Sequence, residues 1–529
     1  MDLILAIDLG TSGPKVALVA PDGRVVASAQ EATTLHLLPG HGAEQDPDDW
    51  WRAIVAATRR VLAQDAAFPA AVAGICCTGQ WSGTVPVDAQ GRHLHNAIIW
   101  MDARGKRYVN KVTDGLIAVE GYGVDKLWAW IRRTGGIPTR SGKDALAHIL
   151  YLKHARPDLY AATATFLEPK DYLNLRLTGR AAATVDSITL HWVTDNRAID
   201  AIDYDPTLLR LAGIDRAKLP ELVRAVDVLG PVRPEIAAEL GINPDALVVA
   251  GTPDIHSATL GSGAVADYAA HLYIGTSSWL VCHVPFKKTD LFHNMASLPA
   301  AVPGRYLLIN EQEIAGGALA FVADNLLFAD DGLGVTRPDD AIARLVALAG
   351  DAPPGSHGLL FTPWLNGERS PVDENSLRGG FHNLALSHTR ADLVRAVLEG
   401  VAFNTRWLLR YVERFIKRPL VTINAAGGGA QSALWCQIFA DVLDRTVQQV
   451  ADPRQVNTRG AGLLGAAGLG YISIDEIGRN VPIARTFTPD PATRHVYDRQ
   501  YDHFLAIYRR NRKIYARINK DEFTAKGKT

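Results

Sequence analysis

Short apolar runs broken by glycine-containing turns open the chain. Residues 3–7, 15–19 and 25–29 are such runs, joined by Leu9-Gly10-Thr11-Ser12-Gly13 and by Pro21-Asp22-Gly23. Runs of this length bounded by Gly, Pro and Asp predict three β-strands. The period then changes: Trp50, Ile54, Thr58 and Val61 recur at helical spacing behind Asp46-Pro47-Asp48-Asp49. That predicts a helix with Asp46 as N-cap, Pro47 in the first position and two acids at its positive end. Strand signals return at 73–77, which leads into Thr78-Gly79-Gln80-Trp81-Ser82-Gly83, and at 84–87 and 93–100 on either side of a turn at 88–91. Residues 145–155 read as a helix, and 247–250 as a short buried strand running into Gly251-Thr252-Pro253-Asp254.

In the second half, residues 271–274 and 279–283 are predicted strands around Gly275-Thr276-Ser277-Ser278. A long helix is predicted from Thr389, with Ser387 as its N-cap and an apolar face through Leu393, Val397, Ala402 and Leu408. Residues 422–425 form a strand that enters Gly427-Gly428-Gly429-Ala430, and a helix follows through Trp435, Ile438, Phe439 and Val442. The basic, polar segment 509–529 reads as a solvated terminal helix that frays. The layout of strand, Gly-Thr turn and strand at 3–19 recurs at 271–283. A repeat predicts two domains of one architecture, with chance recurrence of a common turn as the alternative at this point.

Length agrees with the repeat, since 529 residues exceed what one core normally holds. The balance of 55 basic against 56 acidic residues gives no general attraction to nucleic acid or to an anionic membrane. Cys76, Cys77, Cys282 and Cys436 include no CxxC pair, which predicts buried reduced thiols and a cytoplasmic protein. The opening MDLILAIDLGTSG lacks a basic n-region and reads as a strand, not a signal peptide, and no apolar run is long enough for a membrane span.

Phosphate requires close approach of backbone N–H groups, hence glycine and small hydroxyl residues in tight turns. Three turns qualify, at 8–13, 275–278 and 427–430, each at the end of a strand. None is a Walker A loop, for which Ser141-Gly142-Lys143-Asp144 lacks the upstream Gly and the following Ser/Thr, and none is a dinucleotide fingerprint. Asp8 stands beside the first turn, either holding Mg²⁺ or bonding the turn backbone. Asp254, between a strand and a helix, reads either as an N-cap or as a base for an attacking hydroxyl.

These residues together resemble the FGGY family of carbohydrate kinases, of the actin–Hsp70–hexokinase superfamily. The resemblance spans roughly residues 3 to 480. Asp8 to Lys15 resembles the family's first phosphate loop, 44–51 its helix start, Trp100-Met101-Asp102-Ala103-Arg104 the stretch beside the sugar, and 166–173 with Leu177-Thr178-Gly179 a family run. Gly275-Thr276 resembles the second phosphate loop, Ala315-Gly316-Gly317-Ala318 a nucleotide-side helix start, 366–371 the Gly-Glu-Arg-x-Pro segment, and 427–432 the adenosine motif.

The resemblance implies an α/β fold of two actin-like ATPase (ribonuclease H-like) domains with an interdomain cleft. Residues 1–264 would form the sugar-binding side and 265–529 the nucleotide-binding side. It implies ATP bound by Gly10, Thr11, Ser12, Lys15, Gly275, Thr276, Gly316, Gly428, Gly429 and Gln431, with Mg²⁺ near Asp8. A sugar would lie on Gln80, Trp81, Ser82, Asp102 and Arg104, with Asp254 as catalytic base. A sugar and ATP are the expected partners, with a homodimer as a candidate assembly. Within the family the chain looks nearest to xylulokinases, which implies a ketopentose such as D-xylulose. Ribulose, erythritol, glycerol and gluconate are the alternatives, and an ATPase without a sugar substrate is a more distant one. The departure is Trp81-Ser82 where xylulokinases usually have Met-His, so Trp81 either shapes the acceptor site or packs elsewhere. Residues 185–192 also differ from the usual family wording.

Overall fold

The computed structural model describes residues 1–332 and 335–520. Two large sheets carry the fold, one of six strands from the first half and one of eight from the second. In the first, Leu3–Gly10 pairs antiparallel with Gly13–Val19, which pairs antiparallel with Val25–Gln30. On its other side Leu3–Gly10 runs parallel to Val72–Gly79, then comes parallel Leu247–Pro253 and antiparallel Val228–Pro231. The second sheet repeats this order and sense. Ala270–Ile274 pairs antiparallel with Ser278–Val284, and that strand with Tyr306–Ile309. On the other side lie Thr422–Ala426 and Thr446–Val450, both parallel, and antiparallel Ile483–Phe487. The recurrence of the Gly-Thr turn is therefore a duplicated topology and not chance.

The helices extend the duplication with an exchange. Asp254–Gly261 follows the first sheet in sequence, yet Ile255 packs with Val281, Ala300 and Leu307 of the second half. Val456–Gly468 follows the Thr446–Val450 strand of the second sheet, yet Ala461, Leu463, Leu464 and Ala466 pack with Ile4, Ala6, Val19, Cys76 and Val249 beneath the first. The two exchanged helices cross at glycines: a Cβ on Gly460 would overlap the Ser257 carbonyl oxygen, and one on Gly261 that of Val456.

Local chemistry explains most element bounds. Asp46 caps Pro47–Leu62 by accepting from Asp48 N. The long helix Arg390–Ile416 is capped by Thr389 in a reciprocal box with Asp392, so the cap belongs to Thr389 and not to Ser387. The strand predicted at 93–100 shrinks to Ala97–Ile98, because only that pair meets Glu44–Gln45 as a partner strand. Ala145–Ala155 is a helix as predicted. The terminal helix Arg494–Ile518 begins ahead of the segment predicted as solvated: Tyr497, Tyr501, Phe504 and Tyr508 are buried in the second core, whereas 509–518 is mostly exposed, as predicted, and Asn519 donates to the Ser376 carbonyl. Residues 521–529 of the predicted fraying tail lie outside the described residues. All four cysteines are buried and free, and no helix among the described residues is long and apolar enough to cross a membrane.

Candidate active site

Asp8 is the sixth residue of the Leu3–Gly10 strand, in register with Lys15 on one side and Thr78 on the other. The turn that follows is held from beneath. Thr11 Oγ1 donates to Gln80 Oε1 at 3.2 Å and accepts from Trp100 Nε1 at 2.9 Å. Gln80 Nε2 donates to Gln45 Oε1 at 2.8 Å, and Gln45 Nε2 returns to the Thr11 carbonyl at 2.8 Å. Gln80 and Trp100 thus brace the first Gly-Thr turn, while Ser12 at its tip is exposed. Lys15 points its ammonium at the Arg454 carbonyl, 2.8 Å away.

The second turn has a matching support. Gly316 N donates to the Gly275 carbonyl at 2.8 Å, and Ala315 N and Gly317 N to that of Thr276 at 2.7 and 3.1 Å. A Cβ on Gly316 would lie only 2.6 Å from the Gly275 carbonyl oxygen, so this junction requires glycine. Gly427, at φ +90°, and Gly429 press on Ile274, whereas Gly428 has open space where a side chain would be. Gly428 and Gln431 are both exposed.

Asp254 is the first residue of its helix, after the N-cap Pro253, and one of its carboxylate oxygens accepts from Ile255 N at 2.8 Å. Burial pushes its carboxyl up to about 7, with the charges of Asp8 and then Glu311 adding to the rise. Asp8 is also raised by burial, opposed by the Lys15 ammonium and by the Asn457 amide. Asp8, Asp254 and Glu311 therefore share one neighbourhood, in which carboxylates from both halves of the chain repel one another.

Trp81 lies close by. Its ring meets His256 edge-on, centroids 5.5 Å apart, and its Nε1 donates to the Ser187 carbonyl at 2.8 Å. Ser82, at φ 66°, turns its hydroxyl to the Lys143 carbonyl at 2.9 Å. The unusual segment 185–192 is the floor under Trp81: Ser187 Oγ donates to Asp171 at 2.7 Å, Asp186 takes the Thr252 hydroxyl, and Trp192 Nε1 donates to Asp144 at 2.6 Å. Glu168 of the run 166–173 takes Gly83 N at 2.8 Å, and Lys170 and Asn174 hold the Ala250 carbonyl, so that run fixes both the Trp81 turn and the strand ahead of Asp254.

Asp102 and Arg104 form a separate, closed group. Asp102 accepts from Ala43 N, Arg104 N and Arg104 Nε at 2.9, 2.9 and 2.8 Å. Arg104 also donates to Glu44 at 2.6 Å and lies 4.5 Å over the Tyr151 ring. Its link to the first turn runs through the neighbouring Trp100.

Four residues near the site, Glu311, Glu313, Lys143 and Asn457, are not among the sequence-predicted site residues. Glu311 and Glu313 are bound by Arg369, and Glu368 takes Glu313 N at 2.9 Å, which gives the Gly-Glu-Arg-x-Pro segment its structural role. The half-buried Lys143 is lowered by burial and by Arg369 opposite, against the pull of Glu313 and Glu311. Its sequence signal was the Ser-Gly-Lys that failed as a Walker loop. Asn457 has no signal of its own, being one of several polar residues in the first turn of the Val456–Gly468 helix.

A duplicated ATPase-type fold, two braced Gly-Thr turns and a raised carboxylate beside them define an ATP-dependent phosphotransferase. Residues 3–261 match the FGGY family of carbohydrate kinases, N-terminal domain, and residues 270–473 the C-terminal domain of the same family. The chain belongs to the FGGY family of carbohydrate kinases and is an ATP-dependent sugar kinase. A xylulose kinase of Staphylococcus epidermidis is 28% identical over 97% of this chain and 98% of its own. A gluconokinase of Bacillus subtilis is 26% identical over 92% of this chain and 91% of its own. The solved xylulose kinase of Rhodospirillum rubrum is 29% identical, with a TM-score of 0.81 over 97% of this chain and 99% of that one.

Proposed function

We propose that this kinase transfers the γ-phosphate of ATP to a hydroxyl of a ketopentose such as D-xylulose, with Asp254 taking the hydroxyl proton. The observation that carries the reading is Asp254 itself: a carboxyl raised to about 7 at a helix start, beside Asp8 of the first phosphate turn. A base with that affinity holds a proton well enough to accept one from an alcohol and is substantially ionised at neutral pH. The phosphates would lie against Gly10, Thr11, Ser12, Lys15, Gly275 and Thr276, with Gly316 behind the second turn, and adenosine against Gly428, Gly429 and Gln431. Asp8 fits a divalent cation, being an oxygen ligand in an acidic neighbourhood that a positive charge would relieve. Bound Mg²⁺ supplies neutralisation of phosphate charge. Gln80, Asp102 and Arg104 support the acceptor site through the contacts that hold Thr11, Glu44 and Tyr151, while Trp81 and Ser82 border it. We place the division of the chain at 264/265, the cytoplasm as its compartment, and a homodimer as an assembly to be tested.

The ketopentose rests on relatives named xylulose kinase, at identities that leave the acceptor open. A sugar acid is the second reading, favoured by Lys143: its half-buried ammonium has no hydrogen-bond or ion-pair partner among the described residues, and its own carbonyl anchors Ser82. ADP release measured across ketopentoses, polyols and aldonates decides. D-xylulose as the best acceptor, with a Trp81→Met/Ser82→His variant shifted further toward it, supports the ketopentose. A preference for aldonates that Lys143→Met removes overturns it, and turnover without any acceptor overturns sugar specificity altogether.

A further inference from the structure

A cavity of about 400 Å³ opens where the two halves of the chain meet at the edge of the first sheet. Lys15, Ser28, Gln30 and Arg60 line it from the first half, Arg454 and Gln455 from the second. Strand register sets the first wall. Lys15 pairs with Gln30 of the edge strand Val25–Gln30, and Ala17 with Ser28, so Lys15, Gln30 and Ser28 share one face. The short turn Pro453–Gln455 is tied over that face at two points. Lys15 Nζ donates to the Arg454 carbonyl at 2.8 Å, and Gln455 Nε2 to Ser28 Oγ at 3.0 Å. Arg60 reaches round the edge strand to the Gln30 carbonyl and to Glu31.

The cavity has donors to spare, and no carboxylate lines it among the described residues. Glu31 offsets Arg60, and Asp8 stands opposite Lys15 on the neighbouring strand, so the uncompensated charge is that of Arg454. Its guanidinium has no hydrogen-bond or ion-pair partner among the described residues. Lys15 has used one of its three N–H donors. The Val456–Gly468 helix begins at the same place, and its positive end adds to the field. A planar fork of N–H groups with an ammonium beside it suits a tetrahedral oxyanion.

We propose that this cavity is a second anion site, separate from the ATP phosphates, that takes a phosphate-type oxyanion on Arg454 and Lys15. Its volume lies in the range of small-ligand pockets, roughly 300–1,000 Å³, so free phosphate and the phosphate group of a sugar ester both satisfy the chemistry. The coupling to ATP rests on the proposed function, in which Lys15 also serves the first Gly-Thr turn. An anion in the cavity then weakens ATP binding without excluding it.

The test is calorimetric titration of the full chain with inorganic phosphate, in chloride at fixed ionic strength, with and without Mg²⁺ and a non-hydrolysable ATP analogue. The parent should bind phosphate, and Arg454→Gln should weaken that binding by roughly tenfold or more. Arg454→Lys, which keeps the charge and loses the fork, should fall between them. Arg454 is exposed, so both variants should keep the parent's fold. Saturating analogue should weaken phosphate binding several-fold and then no further. Weakening that keeps growing in proportion to the analogue means one shared site and overturns the proposal. So does a parent that binds no phosphate, or one that binds it no better than Arg454→Gln. A pentose phosphate as second titrant separates the sources: Arg454-dependent binding tighter than that of free phosphate assigns the site to the ester, and weaker binding assigns it to free phosphate. If the analogue does not bind while Arg454-dependent phosphate binding persists, the ATP reading of the first turn fails and the cavity site stands.

Discussion

Asp254 enters the first turn of its helix with one oxygen accepting Ile255 N, and the N-cap position belongs to Pro253. Sequence position alone leaves Asp254 as either an N-cap or a base. What sequence could not supply is the neighbourhood. Asp8 and Glu311 stand 246 positions before it and 57 after it, and their charges help to lift it to about 7. The sign of the consequence is fixed. A base must be ionised to work, so kcat/KM for the sugar should reach a plateau above about pH 7 and fall close to tenfold per pH unit below it. A cation near Asp8 moves the limb to lower pH, because it opposes the repulsion. A profile that stays flat down to pH 5 in an enzyme that remains folded contradicts the assignment. Trp81 and Ser82 were legible as a departure but not as a design. Their partners, the carbonyls of Ser187 and Lys143, are backbone atoms whose position no residue type announces.

At the scale of elements, glycine does different things in neighbouring turns. The sequence marked Gly427-Gly428-Gly429 as one run, while the structure separates their roles. Gly427 needs its positive φ and Gly429 its closeness to Ile274, but Gly428 is helical in backbone, at φ -60° and ψ -40°, with nothing near its missing side chain. Gly428→Ala should therefore leave the melting temperature within about a degree or two and raise KM for ATP several-fold, if adenosine approaches there. Gly460→Ala is the opposite case. Its methyl would meet backbone on the crossing helix, and forced overpacking of this kind costs about 1–3 kcal/mol or more, read as a melting point lower by several degrees. Equal effects of the two substitutions on thermal stability would contradict this division. Strands and helices were mostly legible, because apolar period and caps such as Asp46 are local. Ser387 is the expected cap of a helix from Thr389 onward, and the structure moves the cap to Thr389, whose reciprocal contact with Asp392 closes the first turn.

For the molecule as a whole, duplication was readable from the two Gly-Thr turns, and the exchange of helices was not. Periodicity says which face of Val456–Gly468 is apolar; it does not say that the sheet receiving it belongs to the other half. That exchange brings Asp254, Asp8, Glu311 and Asn457 from distant segments into one place, so both halves contribute to the site and neither is expected to work alone. Sugar-dependent phosphoryl transfer with Asp254 as its base is tested most directly by one assay: ADP release by the parent and by Asp254→Asn, with and without the best acceptor, at saturating Mg²⁺ and ATP. The parent should release ADP only when acceptor is present, and Asp254→Asn should lose about 10²–10⁴-fold of that rate while binding ATP as the parent does. Near-normal acceptor-dependent turnover in the variant, or equal ADP release without acceptor in the parent, would contradict it.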